Sequence, residues 1–185
     1  MKEELAVMTV IHTNDPTTIV LSRLYESRED VIMRITEKNT NSEVKGAIRR
    51  AGRIMMLGHG NKYGLFSIPD KKGIYRRLIV NSDYAQFLRD KECIGIWCFA
   101  NEFAMHYGLH GLFSGMIISE LHEAVENNIP ATKEEIDYEM EKFVTRLRDC
   151  IEKYGLKDTP ARMKELDDAK TDLTKFNYSR LYYLD

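Results

Sequence analysis

Cysteine and proline are both scarce in this chain of 185 residues, which has three of the first and four of the second. Three irregularly spaced cysteines cannot form a disulfide framework. Free thiols persist in a reducing compartment, so a cytoplasmic location is expected. No apolar stretch approaches the length that spans a bilayer. The opening Met1-Lys2-Glu3-Glu4 leads into only one strand's worth of apolar residues, which reads against a secretory leader. An excess of either charge is missing too: 27 Lys and Arg face 29 Asp and Glu, for a net charge of −2. Neither a nucleic-acid nor an anionic-membrane partner is expected from that balance. The short basic clusters Arg49-Arg50-Arg53 and Arg76-Arg77 read as solvated faces. The Gly58–Gly64 stretch lacks both a GxGxxG pattern and a following Lys-Ser/Thr pair, so it reads against a phosphate cradle.

With 43% hydrophobic and 30% charged residues, the composition is that of an ordinary globular protein. No repeat, linker or low-complexity tract divides the chain. A single domain over 1–185 is expected, with a helical C-terminal portion from about residue 130.

Two apolar runs organise the chain. One is Arg53-Ile54-Met55-Met56-Leu57-Gly58-His59-Gly60, and the other Cys93-Ile94-Gly95-Ile96-Trp97-Cys98-Phe99-Ala100. Short continuous apolar runs bounded by turn signals read as inner strands of a parallel sheet. In open α/β sheets, chemistry gathers at the carboxyl ends of such strands. Neighbouring strands tipped by His59 and Cys98 would bring an imidazole and a thiol to one rim, as nucleophilic cysteine catalysis requires.

Further strands are read over 6–11 and 31–35. A helix capped by Asp15, with Pro16 in its first turn, should bury Ile19, Val20, Leu24 and Tyr25. Ser42 is read as the cap of a helix reaching Arg50. The first sixty residues thus read β-α-β-α-β, the signature of a parallel sheet. A hairpin is expected from 65–68 and 75–80, then a helix capped by Ser82 and reaching Arg89. The strand over 93–100 follows, then a helix over 101–107 and a strand over 112–118. Ser119 or Glu120 begins a short helix. Thr132 and Glu135 form a capping box that opens a helix reaching Tyr154. A short helix is expected after Thr159-Pro160, and an edge strand over 176–183.

This order resembles the caspase-like cysteine peptidases, a broad group that includes caspases, metacaspases, clostripain-like enzymes and CHAT domains. Leu57-Gly58-His59-Gly60 is similar to the histidine motif of that group, and Trp97-Cys98-Phe99-Ala100 occupies the position of its cysteine motif. The likeness covers the chain from Ala6 to Glu123 at the level of element order. It departs at Trp97, where family members often carry a small or acidic residue. The resemblance implies a three-layer α/β sandwich with a mostly parallel central sheet. It implies cysteine endopeptidase activity with His59 as base and Cys98 as nucleophile. Gly60 and the backbone amide of Cys98 would supply the oxyanion site. No cofactor is implied, and the partner would be a peptide or protein substrate. A catalytically silent module that binds a peptide or protein is the alternative, since fold does not fix function. An unrelated flavodoxin-like binding domain is a third.

Several residues keep two readings. Cys98 is either a nucleophile or a core thiol. Glu120, after the strand over 112–118, either receives a Lys or Arg side chain of substrate or serves as an acid in a helix's first turn. Cys93 and Cys150 read as structural. His106 and His110 are four apart, but Gly108 and Gly111 interrupt their helix and no further ligand completes a metal set, so no metal is expected. His12, at the end of the first strand, either lines the cleft or is a solvated loop histidine, the second being favoured, and His122 is read as solvent-facing. Tyr63 and Tyr75 either wall the pocket or pack along an edge.

Overall fold

The computed structural model describes residues 7–185. Its centre is a six-stranded sheet of β1 (Met8–His12), β2 (Val31–Ile35), β3 (Arg53–Leu57), β7 (Glu92–Ile96), β8 (His110–Ser114) and β9 (Leu181–Leu184), in the order β2-β1-β3-β7-β8-β9. The first five run parallel, and β9 closes the edge antiparallel to β8. Between β3 and β7 the chain makes a small antiparallel sheet of β4 (Gly60–Asn61), β5 (Gly64–Phe66) and β6 (Leu78–Val80).

Strand alternation divides the core in two. Met8 and Val10, Met55 and Leu57, Ile94 and Ile96 point to one face, where a 3₁₀ helix (Pro16–Leu24) and the long α5 (Lys133–Glu165) cover them. Ile11, Ile54, Met56, Cys93 and Phe113 point to the other. There they meet α1 (Asn41–Arg50), α2 (Ser82–Leu88) and α3 (Ala100–Tyr107). The short α4 (Leu121–Glu126) and α6 (Asp172–Tyr178) complete the chain. Because four neighbouring strands are parallel, β1, β3, β7 and β8 all deliver their carboxyl ends to one rim.

Several expected boundaries move, for local reasons. The strand read over 6–11 begins outside the described residues at Ala6. The cap of α1 is Thr40 rather than Ser42, because Thr40 and Glu43 satisfy each other's backbone N–H groups. Asn81, not Ser82, caps α2 by accepting from the Asp83 N–H. The helix after Asp15 is 3₁₀, and its tighter winding leaves Ile19 exposed while burying Leu21, Leu24 and Tyr25. The run over 93–100 leaves the sheet at Ile96. The strand expected over 112–118 begins at His110 and ends at Ser114, since Gly115 and Ile118 turn away to bond Arg180 and Asn177. The tail over 176–183 is helical as far as Tyr178 and becomes strand only at Leu181. The Thr132–Glu135 capping box is present with both reciprocal bonds, and α5 breaks at Gly155, where φ is 75°.

Candidate functional site

His59 follows β3 by two residues, and Cys98 follows β7 by two residues. The two strands are direct parallel neighbours in the register Leu57↔Ile96, and the Gly58 N–H donates to Ile96 O at 3.1 Å across their ends. Gly58 has φ of 146°, a conformation that favours glycine, and this lets the chain turn out of the sheet into His59. His59 and Cys98 therefore stand at adjacent strand ends on one rim and line the same cleft.

Trp97, the residue before the cysteine, explains how the two turns are held together. Its side chain is buried on the opposite face of the sheet from the cleft core, against Phe103. Its indole N–H donates to Asn61 O at 3.1 Å. A Cβ on Gly60 would fall 2.2 Å from the indole, so only glycine fits there. The bulk that departs from the caspase-like pattern thus props the His59–Gly60 turn from beneath. Phe99, with φ of 67°, completes a strand–turn–helix passage into α3.

The ring of His59 is engaged on one nitrogen. Its Nε2 lies 2.8 Å from the Thr17 hydroxyl oxygen and 3.6 Å from Glu120 Oε1. Tyr75 packs beside it with ring centroids 5.6 Å apart, and Phe66 stacks on the far side of Tyr75 at 5.0 Å. The Tyr75 hydroxyl donates to Asp15 Oδ2 at 2.6 Å. Asp15 Oδ1 accepts the Thr17 hydroxyl at 2.8 Å and the Thr17 backbone N–H at 3.0 Å. Burial works to raise the Asp15 pKa, but the bonds from Tyr75 and Thr17 outweigh it and hold the group below its ordinary value.

Cys98 is partly exposed, whereas Cys93 and Cys150 are buried. Its thiol donates to Ile117 O at 3.6 Å and lies 3.9 Å from Glu123 Oε1. Burial of the sulfur, with the Glu123 carboxylate beside it, pushes the thiol up to about 12. His59 makes no hydrogen bond to the sulfur. The thiol is therefore protonated in this conformation.

Glu123 belongs to α4, whose N-cap is Glu120. Its Oε2 accepts from the backbone N–H of Ser119 and of Glu120, and from the Ser119 hydroxyl. Glu120 lies in the cleft between two imidazoles, 3.6 Å from His59 and 3.1 Å from His122. Glu120 faces the cleft and stands at the N-cap rather than in the first turn, where the acid is Glu123. The segment preceding α4 is anchored by Asn177, which accepts the Ile118 N–H at 2.8 Å and donates to Ile118 O at 2.9 Å. The cleft over His59, Gly60 and Cys98 has a volume of about 200 Å³, and among the described residues three carboxylates, Glu120, Glu123 and Glu126, face it with no Lys or Arg.

The remaining sequence candidates fall elsewhere. His12 is fully buried rather than solvated, because the 3₁₀ helix folds over the end of β1. Its ring bonds Tyr25 at 3.1 Å and Thr18 at 3.2 Å. His122 is exposed, Tyr63 is exposed, and His106 packs edge-on against Tyr107. No cluster of three His, Cys, Asp or Glu side chains suited to a metal occurs among the described residues. No helix among them is long and apolar enough to cross a membrane. Sequence reasoning placed Asp15 only as a helix cap and passed over Thr17. Their one legible signal was the Asp-Pro-Thr turn following a strand that ends at the rim. No protein-family model and no curated protein matches the sequence, which leaves the geometry of this rim to carry the functional reading.

Proposed function

We propose that this protein is a caspase-like cysteine endopeptidase that cleaves after basic residues, with Cys98 as nucleophile and His59 as base. The observation that carries the reading is the pairing of β3 with β7, which sets His59 and Cys98 at equal offsets beyond adjacent strand ends and inside one cleft. The proton of Sγ passes to the imidazole, and the sulfur attacks the peptide carbonyl carbon to form a tetrahedral oxyanion. Gly60 and the Cys98 amide, both of which line the cleft, would be its backbone donors. Collapse of this intermediate breaks the C–N bond, the imidazolium protonates the leaving amine, and water then hydrolyses the Cys98 thioester. A Lys or Arg side chain of substrate meets Glu120, Glu123 and Glu126 across the cleft. Such a cation would draw Glu120 from the histidines and offset the charge that Glu123 presents to the thiol.

One observation favours a second reading, a silent caspase-like module that binds a basic peptide: the Cys98 thiol is turned to Ile117 O and the Glu123 carboxylate rather than to His59. Profiling the full chain against a mixed peptide library separates the two. Cleavage after Lys or Arg, lost in Cys98→Ser and in His59→Ala, is the expected result. Well-folded protein that cleaves nothing, with Cys98 no more reactive toward iodoacetamide than Cys93 and Cys150, removes the peptidase reading and favours the binding module.

A further inference from the structure

The hydrogen bonds around Thr17 have only one consistent direction. A hydroxyl has a single proton to donate. Asp15 Oδ1, in an ionised carboxylate, can only accept, so the Thr17 proton goes to Asp15 across 2.8 Å. The Thr17 oxygen is then an acceptor toward His59, and the nitrogen 2.8 Å away must carry a proton. The Asp15 carboxylate is itself fixed by two further donors, the Thr17 backbone N–H and the Tyr75 hydroxyl. Asp15 is 3% exposed, whereas Thr17 lies at the surface.

We propose that Asp15 is a positioning residue for His59, acting through the Thr17 hydroxyl to keep the ring protonated on Nε2 and to leave Nδ1 as its basic nitrogen. The proposal deepens the peptidase reading and rests on it for its catalytic consequence: Nδ1 is the atom that takes the Cys98 proton. The Tyr75 bond makes the arrangement depend on the excursion between β5 and β6, since that segment must be seated for Asp15 to be held from both sides. Glu120 also faces Nε2, but from 3.6 Å, beyond hydrogen-bond reach.

Histidine-ring ¹⁵N NMR on the full chain at pH 8 reads the tautomer whether or not the protein cleaves anything. In the unaltered protein His59 should be protonated on Nε2. Asp15→Ala frees the Thr17 proton to turn toward the imidazole, so the ring should shift to the Nδ1–H form. Thr17→Val should give a mixed ring, Thr17→Ser should restore the original signature, and Glu120→Gln should leave it unchanged. Thr17 is exposed, so its variants retain the test if Asp15→Ala does not fold. A folded Thr17→Val protein whose His59 stays in the Nε2–H form overturns the proposal, as does a shift that appears only in Glu120→Gln. In the peptidase assay, Thr17→Val should lower kcat about tenfold or more with little change in KM. A tautomer that responds as expected in a protein without peptidase activity supports the positioning and removes the peptidase reading.

Discussion

Glu123 Oε1 stands 3.9 Å from the sulfur of Cys98, a carboxylate set beside the thiol of the one partly exposed cysteine. Burial raises the thiol pKa most, and this carboxylate adds to it. Glu123→Gln removes the charge and presents an N–H donor to the thiolate. The thiol pKa should fall from about 12, and alkylation of Cys98 by iodoacetamide at pH 7.5 should accelerate about tenfold per pKa unit. A pH profile of the alkylation rate measures this. An unchanged profile would show that burial alone sets the thiol.

Substrate choice should depend on Glu120. A desolvated charge pair of the kind expected with a basic side chain is worth about 2–5 kcal/mol. Glu120→Ala should therefore cut kcat/KM for cleavage after Lys or Arg by about a hundredfold or more, with a much smaller effect on Cys98 alkylation. Preferred cleavage after acidic or apolar residues would discard this assignment.

His12 makes stability depend on pH. The Thr18 hydroxyl donates to Asp15 O, so His12 donates from Nε2 to Thr18 and accepts from Tyr25 at Nδ1, which requires a neutral ring. Burial first, and then Arg34, lowers its pKa to about 4, against smaller raising effects of Thr18, Asp15 and Glu26. The folded value lies below the unfolded one of 6.5. Its stabilising contribution is thus complete above pH 6.5 and lost as pH falls toward 4. The loss should be roughly 3 kcal/mol. Urea unfolding at pH 7.5, 5.5 and 4 measures it, and His12→Gln should flatten that part of the curve.

Asn177 ties α6 to the segment that carries Ser119 and Glu120. Asn177→Ala leaves the Ile118 N–H and C=O unpaired in a buried setting, at a cost of about 2–4 kcal/mol. The melting temperature should fall by roughly 5–10 °C. Hydrogen exchange at residues 117–120 should speed up more than in β3. Uniform loss of protection through the sheet would show that Asn177 supports the whole fold rather than this segment.

Much of the scaffold was legible because its signals are local. The Met55–Leu57 and Ile94–Ile96 runs must be buried wherever they sit, and two buried faces with intervening helices imply a parallel sheet. The Thr132–Glu135 box announces its helix because both its bonds lie within one turn. The strand tips His59 and Cys98 were legible on the same ground. Tertiary structure decided the rest, since the deciding contacts join distant segments. Whether the thiol is a thiolate depends on Glu123, 25 positions away, and on what buries the sulfur. The tautomer of His59 depends on Thr17 and Asp15, and their placement depends in turn on Tyr75, 60 positions from Asp15. His12 is buried because a 3₁₀ helix folds over it, and that packing leaves no mark in the pattern around residue 12. Periodicity reports which way a residue faces. Protonation and hydrogen-bond direction are sums over every group the fold brings near, and only three-dimensional placement supplies them.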